Sequence, residues 1–304
     1  MSGESHPRIA VVGSGIMAGG IVGGALAAGA SVLLLGRDPA RADRAAADAL
    51  AIAGEGAAPR LATAAIDAAH DWSGVDLVLE TVAEDLALKQ SLFARLDAVV
   101  PRTIPIASNS SGFPISRIAD GLAGASRMFG AHYFMPAHVV PLVEVVLGSA
   151  SDRAMAERLC DLFRAIGKKP VLVAKDIPGF LANRIQHALM REALSLIDAG
   201  IASPEDVDLA VRYSFGFRYA AVGPILQKEI SGWDTVASAA AAIYPSLSTT
   251  AEVPRCLREL VERGETGMKA GQGFLPWPKD AAAETQRRYK EKLAAAFAIL
   301  ASDD

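Results

Sequence analysis

The 304-residue sequence has few cysteines, few aromatic side chains and little excess charge of either sign. Its two cysteines, Cys160 and Cys256, lack CxxC spacing and predict buried, inert thiols in a reducing cytoplasm rather than a disulfide framework. A formal net charge of -4 argues against a nucleic-acid partner, which would require a clustered basic surface. Metal-ligand spacings are also missing, so we predict no metal site.

Targeting and membrane-spanning segments are not evident either. The polar start, MSGESHPR, lacks the charged and apolar pattern of a signal peptide. An uncharged run over Ile16–Leu35 has the length of a membrane span, but Gly29 interrupts it and a glycine-rich turn precedes it. We therefore predict a buried helix followed by a buried strand, and no membrane partner.

Short apolar runs dominate the first half of the chain. Alanine-rich helical segments separate the early runs, an order that predicts an α/β, Rossmann-type doubly wound sheet. Only residues 39–74 lie between the second run and the third, which leaves room for one helix and a short strand. The runs are Arg8–Val12, Ser31–Leu35, Val75–Val82, Ile104–Ala107, Met128–Phe134, Leu142–Leu147 and Pro170–Ala174.

Helical patterns replace the strand patterns beyond about residue 178. One helix should end near Gly200, and the next should begin with Ser203 as N-cap and Pro204 in its first turn. A last helix is predicted over residues 281–300. The chain therefore divides into a dinucleotide-binding domain, residues 1–177, and an all-α domain, residues 178–304.

The motif G-x-G-x-x-A follows the first strand at Gly13, Gly15 and Ala18. The first glycine permits a tight turn, the second lets the backbone approach a pyrophosphate, and the small third residue allows close helix packing. Free N–H groups at the helix N-terminus would then bind phosphate, with Ile16 and Met17 in the first turn beside the cofactor. The strand–turn–helix context predicts dinucleotide binding.

The end of the second strand bears on the choice between NAD and NADP. NAD sites usually place an acidic residue there to accept hydrogen bonds from the ribose hydroxyl. This chain has Gly36, Arg37 and Asp38 instead. Because a glycine leaves room for a 2′-phosphate and an arginine can pair with it, we expect a preference for NADP. Asp38 keeps NAD open as the alternative.

Six motifs in order along the chain resemble the L-3-hydroxyacyl-CoA dehydrogenase family. The resemblance spans nearly the whole sequence and implies an NAD(P)-dependent oxidoreductase that dimerises through its helical domain. The motifs are VVGSGIMAGGI (Val11–Ile21), ETVAEDLALKQSLF (Glu80–Phe93), SNSSGFPIS (Ser108–Ser116), AHYFMPAHVVPLVEVV (Ala131–Val146), KDIPGFLANR (Lys175–Arg184) and GMKAGQGF (Gly267–Phe274).

The resemblance implies four catalytic residues. His132 matches the family's histidine, which takes the proton of the substrate hydroxyl as hydride leaves. Glu144 matches the glutamate that orients this imidazole. Ser111 and Asn183 match residues that hold the substrate. His138 lies in the connection between two strands and is interpreted as structural or exposed.

The motifs also imply residues that contact the cofactor. Glu84 and Lys89 match positions near the ribose and nicotinamide, and Asn109 lies in the serine-rich motif after a strand. We expect all three to line the cofactor site.

Three departures from the family pattern concern the substrate. Met135 stands where the family commonly has asparagine, so a polar group beside the base is lost. The short segment 39–74 lacks the helical arm with which many acyl-CoA enzymes of the family cover CoA. YSFGFRYAAVGP resembles the branch that acts on small carboxylates, such as gulonate, carnitine and pyridine-carboxylate dehydrogenases, and Arg218 within it suits a carboxylate. A surface or interface arginine is the alternative for Arg218.

The sequence thus predicts oxidation of a secondary alcohol, either a 3-hydroxy acid or its acyl thioester. Oxidation of a hydroxymethyl-aromatic carboxylate and reduction of an imine remain alternatives. A third is a cofactor-binding protein without enzymatic activity, as in lens crystallins related to the family; the joint presence of Ser111, His132, Glu144 and Asn183 argues against it.

Overall fold

A computed structural model describes residues 6–301 and divides the chain into two compact units, Met1–Arg184 and Ile185–Asp304. The first unit is built on one eight-stranded sheet with the order β3-β2-β1-β4-β5-β6-β7-β8. The strands are β1 Arg8–Val12, β2 Ser31–Gly36, β3 Leu61–Ala65, β4 Leu77–Glu80, β5 Ile106–Ser108, β6 Met128–Tyr133, β7 Leu142–Leu147 and β8 Lys169–Val173.

Every predicted strand is present with its ends within two residues of the prediction, and the short strand expected within residues 39–74 is β3. Helices connect the strands of the first unit and cover both faces of the sheet. They are α1 Ile16–Ala27, α2 Pro39–Ala53, α3 Leu86–Val99, α4 Ile115–Ile118 and α5 Arg153–Ala165. The Rossmann-type architecture predicted from the sequence is confirmed.

The uncharged run over Ile16–Leu35 folds as predicted, into α1 and β2. Glycines in α1 allow it to pack closely on its neighbours: a Cβ on Gly23 would come within 2.8 Å of Ile52 Cβ in α2. Within residues 6–301 no helix combines the length and apolar character that crossing a bilayer requires.

One pairing departs from the parallel order. β6 and β7 run antiparallel, whereas the other neighbouring strands are parallel. Only residues 134–141 join β6 to β7, and a parallel connection would need a crossover of about a dozen residues or more. The short link therefore imposes a reversal, and the resulting register sets His132 directly opposite Glu144.

Apolar side chains fill both faces of the sheet in two clusters. One includes Val11, Leu34 and Phe163, and the other includes Val12, Phe93 and Ile106. Because neighbouring strand residues point to opposite faces, β1 and β2 contribute to both clusters and must be apolar throughout.

The second unit is helical, as the sequence predicts. Ser203 caps α7 through a hydrogen bond from the Asp206 N–H, as expected from its position before Pro204. Between residues 185 and 301, extended pairing is limited to isolated bridges around Gln272. The helices that follow the sheet are α6 Ala182–Asp198, which begins in the first unit, and α7 Pro204–Val211, α8 Pro224–Ser231, α9 Trp233–Ile243, α10 Arg255–Glu262 and α11 Lys279–Leu300.

Candidate active site

The glycine turn between β1 and α1 is shaped for a phosphate group. Gly13 has φ of 126°, and a Cβ there would lie 2.6 Å from Thr81 Oγ1, so only glycine fits. Nothing lies within 4 Å of a Cβ position on Gly15, which is also the N-cap of α1 and supplies no side-chain cap. Ile16 and Met17 form the exposed and half-buried start of the helix, and Ala18 is fully buried. These features fit a dinucleotide pyrophosphate at the helix N-terminus.

At the end of β2, each of the three residues relevant to cofactor choice has a local role. A Cβ on Gly36 would come within 2.9 Å of Ala42 Cβ, so close packing of α2 already requires this glycine. Asp38 is the N-cap of α2, where its Oδ1 accepts the N–H groups of Ala40 at 3.0 Å and Arg41 at 3.3 Å. Arg37 is exposed. Helix packing and capping therefore account for Gly36 and Asp38 without reference to a 2′-phosphate.

A buried ion pair lies at the carboxyl end of β4. Lys89 Nζ lies 2.8 Å from Glu80 Oε1 and 3.0 Å from Oε2, and the side chains are 1% and 0% exposed. Ser108 Oγ at the end of β5 donates to Glu80 Oε2 at 2.6 Å. The pair thus ties α3 to the ends of two neighbouring strands, which rigidifies this edge of the sheet.

Glu84 extends this network to the loop that carries Ser111. Its Oε1 accepts hydrogen bonds from Ser110 Oγ at 2.6 Å and from the Gly112 N–H at 2.9 Å, while Lys89 lies 3.4 Å from Oε2. Burial raises the pKa of Glu84, but these hydrogen bonds and the Lys89 charge outweigh it and hold the pKa below its usual value. Lys89 is thus enclosed between two carboxylates, while Ser111 itself is exposed.

His132 and Glu144 form a buried pair across β6 and β7. Nδ1 of His132 lies 2.8 Å from Glu144 Oε2, and the side chains are 6% and 0% exposed. The rings of Phe134 and Phe180 lie 4.5 and 5.6 Å from the imidazole, centroid to centroid. The carboxylate satisfies Nδ1 and leaves Nε2 as the second ring nitrogen, in an environment of apolar rings.

Glu144 also binds the start of α6. Its Oε1 accepts the N–H groups of Leu181 at 3.0 Å and Ala182 at 2.7 Å. Desolvation raises the pKa of Glu144, but the hydrogen bonds from His132 and from these two N–H groups outweigh it and hold the pKa below the ordinary value. The carboxylate therefore remains charged at neutral pH with both oxygens occupied.

Four other residues considered in the sequence analysis lie in segments that adjoin this pair along the chain or contact it through the backbone. Asn109 Oδ1 accepts the N–H of Tyr133, the residue after His132, at 2.8 Å. Asn183 is half-buried in the first turn of α6, next to Ala182. Met135 is 62% exposed just beyond the end of β6. His138 is exposed in the following turn, as expected.

Arg218 belongs to the second unit. It is exposed just beyond a π-helical turn at Arg212–Gly216, and its Nε donates to Ser214 O at 3.1 Å. This bond occupies one donor of the guanidinium and leaves its terminal nitrogens for other partners.

Sequence reasoning missed several residues that shape this region. Lys168 is 7% exposed, and its Nζ donates to the carbonyls of Ala137 at 2.6 Å and Val140 at 3.0 Å, which fixes the link between β6 and β7. Glu80, Ser110 and Phe180 were likewise not singled out. A charged residue at the end of an apolar strand was the available signal for Glu80; nothing local marks Lys168, since its partners are backbone carbonyls of another segment.

Two family profiles together match almost the whole chain. The profile of the 3-hydroxyacyl-CoA dehydrogenase NAD binding domain matches residues 8–177, and that of the C-terminal domain matches residues 179–277. The first match names NAD, and the comparisons lend no support to the expected preference for NADP.

Curated relatives include enzymes that act on small carboxylates. The chain is 31% identical over 302 residues to 5-formyl-3-hydroxy-2-methylpyridine 4-carboxylate 5-dehydrogenase of Mesorhizobium japonicum, covering 96% of this chain and 98% of that one. It is 36% identical over 241 residues to L-carnitine dehydrogenase of Streptomyces coelicolor, covering 76% and 75%.

Solved structures of the same family have a similar fold. The crystal structure of the 5-formyl-3-hydroxy-2-methylpyridine 4-carboxylic acid 5-dehydrogenase, an NAD+-dependent dismutase, matches with a TM-score of 0.89 at 29% identity, over 97% of this chain and 99% of that one. (S)-3-Hydroxybutyryl-CoA dehydrogenase from Ralstonia eutropha matches with a TM-score of 0.74 at 26% identity, over 90% and 100%. The chain therefore belongs to the 3-hydroxyacyl-CoA dehydrogenase family and is a nicotinamide-dependent oxidoreductase that acts on hydroxyl groups.

Proposed function

We propose that this protein oxidises the secondary alcohol of a small hydroxy acid, with His132 as the general base and Glu144 as its orienting carboxylate. The contact of 2.8 Å between His132 Nδ1 and Glu144 Oε2, buried at the carboxyl edge of the sheet, is the observation that carries the proposal. Ligands of open α/β sheets bind outside this edge.

In this proposal His132 accepts the proton of the substrate hydroxyl, and Glu144 stabilises the resulting charge. Glu144 accepts the hydrogen of Nδ1, so Nε2 is unprotonated in the neutral ring and takes the proton of the substrate hydroxyl. When bound, the nicotinamide supplies the acceptor for the hydride. As the imidazole becomes charged, Glu144 lies 2.8 Å away as a charged partner. Phe134 and Phe180 keep water from the ring, which strengthens this interaction.

The remaining site residues have supporting roles in this proposal. Ser111 and Asn183 hold the reacting oxygen, and Met135 presents an apolar side chain towards the substrate. Glu84, Asn109 and the Gly13–Ala18 turn contact the cofactor. Lys89 acts through Glu84, because its ammonium is buried between two carboxylates.

A free acid suits the chain better than a CoA thioester. Between β2 and β4 the chain forms only α2, a short 3-10 segment at Glu55–Arg60 and β3, with no extended helical arm. The 5-dehydrogenase acting on a pyridine carboxylate is similar over almost the full length, with a higher TM-score than the acyl-CoA enzyme. Arg218 would bind the carboxylate through its terminal guanidinium nitrogens.

For the cofactor we propose NAD+, with Arg37 setting how well NADP+ is accepted. The match to an NAD binding domain supports NAD+. Oδ1 of Asp38 caps α2, and Oδ2, which lies 3.6 Å from Arg41 Nε at an exposed position, can accept a hydrogen bond from a ribose hydroxyl. The exposed guanidinium of Arg37 is the group that would pair with a 2′-phosphate.

A panel of substrates tests these proposals together. Small 3-hydroxy acids, their CoA thioesters and hydroxymethyl-pyridine carboxylates are each offered with NAD+ and NADP+, and the absorbance of the reduced cofactor is followed. We expect turnover of a free hydroxy acid with NAD+, and a higher KM for that acid in Arg218→Ala. Turnover restricted to CoA thioesters would overturn the substrate class, and an unchanged KM would overturn the role of Arg218.

Two other outcomes of the same panel would contradict the proposed reaction. Reduction of a cyclic imine by the reduced cofactor, without any alcohol oxidation, would assign the site to imines, which the apolar Met135 beside the base would tolerate. Cofactor binding without turnover of any member would refute the proposed oxidation of a small hydroxy acid.

We further propose a homodimer formed through the second unit. Its helices α7, α8 and α9 contain no buried residue, yet they carry many large apolar side chains. Large apolar side chains left exposed in such number favour a protein–protein interface. The exposed apolar side chains of these helices and their links include Leu209, Phe217, Ile225, Leu226, Ile230, Trp233, Ile243 and Tyr244.

A further inference from the structure

Phe180 has an unusual backbone conformation. Among residues 6–301 it is the one non-glycine residue with positive φ, at 48°. An L side chain in this left-handed region is disfavoured because its Cβ approaches the following carbonyl. Gly179, directly before it, has φ of 76°. Two successive left-handed residues make a sharp turn immediately before α6, and strain of this kind concentrates at functional sites.

The turn aims two backbone donors at Glu144. The N–H groups of Leu181 and Ala182, which follow Phe180, lie 3.0 and 2.7 Å from Glu144 Oε1. Such N–H groups at the start of a helix have no partner within the helix and need one from elsewhere. The other oxygen of the same carboxylate receives His132 Nδ1 at 2.8 Å. Glu144 is therefore held by two segments at once.

The side chain of Phe180 contacts the other member of the His132–Glu144 pair, the imidazole. Phe180 is 2% exposed, and its ring centroid lies 5.6 Å from that of His132 with an interplanar angle of 60°. Phe180 therefore contacts the pair in two ways. Its backbone turn directs the N–H groups of the next two residues to Glu144, and its ring packs on His132.

We propose that Phe180 is a positioning residue that locks the His132–Glu144 pair into one tautomer and one orientation. The turn fixes the carboxylate and the ring fixes the imidazole, so that Nδ1 keeps its hydrogen towards Glu144 and Nε2 stays directed away from it. The positioning is independent of the substrate, whereas its effect on turnover rests on the function proposed above.

The tautomer can be observed without any substrate. Long-range ¹H–¹⁵N spectra of the uniformly labelled full-length protein distinguish a ring protonated at Nδ1 from a ring that exchanges between tautomers. The chain has five histidines, and comparison with His132→Gln assigns the signal of interest. We expect a single tautomer with hydrogen on Nδ1 in the wild type and averaged nitrogen shifts in Phe180→Leu.

Phe163→Leu is the matched control. Phe163 is fully buried, and its ring lies 5.8 Å from Tyr133, the neighbour of His132 whose side chain points to the opposite face of β6. The substitution removes the same atoms from a position that is buried to a similar extent. It should lower stability as Phe180→Leu does, while the His132 signal remains that of the wild type.

Kinetics with the substrate found by the panel add a second test. Phe180→Leu should lower kcat by at least about tenfold, since small misplacements of catalytic groups are costly, and leave the KM for the cofactor within about threefold. In a Glu144→Gln background the same substitution should lower kcat by less than about twofold, because residues that act as a unit are not additive.

The outcomes separate this proposal from the proposed function. A folded Phe180→Leu protein with a wild-type His132 signal and wild-type kcat would overturn the positioning role. If Phe180→Leu does not fold, the same measurements are made on Phe180→Met, whose unbranched, flexible side chain adapts to the space left by the ring and which also has no ring. If the wild type has the Nδ1 tautomer and Phe180→Leu loses it, but the wild type turns over no substrate of the panel, the positioning role is supported and the proposed function is refuted.

Discussion

The two units of this chain bury their apolar side chains to very different extents. In the first unit, apolar clusters fill both faces of the sheet, and even charged residues such as Glu80, Lys89 and Glu144 are enclosed. In the described part of the second unit, the buried apolar side chains are Ala193, Leu194 and Leu260. The first unit thus has a core of its own, whereas most large apolar side chains of the second unit are exposed to solvent in the single chain.

This contrast follows from the kind of element each unit uses. A sheet pairs its own backbone groups and buries both faces once helices cover it. A helix buries only the apolar stripe that packs on a neighbour, so any apolar side chain outside that stripe stays exposed. We infer that the His132–Glu144 pair lies in a unit with a core of its own, and that the second unit buries its exposed apolar side chains only in the proposed dimer. Four predictions test this difference.

The largest effect on turnover is expected at the His132–Glu144 pair of the first unit. His132→Ala should lower kcat by about 10²–10⁴-fold, because general base catalysis contributes about this much. Binding of the cofactor, measured by fluorescence titration, should persist, since the Gly13 turn is untouched. The control His138→Ala, at an exposed position in the same connection, should retain turnover. Near-normal turnover of His132→Ala would refute the assignment of the base.

The next effect concerns the buried ion pair of the first unit. Lys89→Met leaves Glu80 buried without its cation and should lower the free energy of unfolding by about 3–5 kcal/mol. Urea denaturation followed by circular dichroism measures the loss. As a control, Arg153→Met breaks the exposed pair with Glu157 and should have little effect. Equal losses in the two variants would contradict the idea of a rigid, charge-tied sheet edge.

The third prediction probes the second unit. Ile230 is 74% exposed in α8, so Ile230→Lys should be harmless in a monomer but should weaken a dimer by at least about tenfold if α8 lies in the interface. Sedimentation at several concentrations measures the association. Val99→Lys, at a 61% exposed position of the first unit, should leave it unchanged. Association that is the same in both variants would place the interface elsewhere.

The smallest effect is a change in pH dependence. Burial lowers the pKa of Lys168 from 10.5 to about 8. Between these values the unfolded chain binds more protons than the folded chain, so this residue makes the free energy of unfolding rise with pH from about 8 to 10.5. Below pH 8 both states are protonated and the contribution is constant.

Lys168→Met removes this titration. The difference in unfolding free energy, wild type minus variant, should therefore increase by roughly 1–3 kcal/mol as the pH is raised across that window. Lys169→Met, at the exposed neighbouring position, serves as the control and should preserve the slope of the wild type. A pH profile of Lys168→Met parallel to that of the wild type would show that Lys168 is not buried as a cation.

Much of the fold could be predicted because its signals are local. A strand, a Gly13 turn and an apolar helix appear in order in the sequence, and Ser203 and Pro204 mark a helix start by their own chemistry. The antiparallel β6–β7 pair was the exception. Its direction follows from the length of the link between Tyr133 and Leu142, which is too short for the crossover that a parallel pair requires.

The candidate site was predictable only in part. The resemblance placed His132 and Glu144 together, and the register of β6 and β7 sets them opposite each other. The catalytic roles of these residues, and of Ser111 and Asn183, stay predictions. Lys89 was expected beside the cofactor, but only the folded chain shows its ammonium enclosed by Glu80 and Glu84.

The sequence by itself therefore determined the order of elements, the glycine turn after β1 and the identity of the residues that can carry a proton. Tertiary structure alone decided how those residues are held: two N–H groups at the start of α6 on Glu144, two carbonyls on Lys168, and the left-handed turn at Phe180. The physical reason is that these partners are backbone groups, which every residue possesses. Only the packing of distant segments selects which of them meets a given side chain.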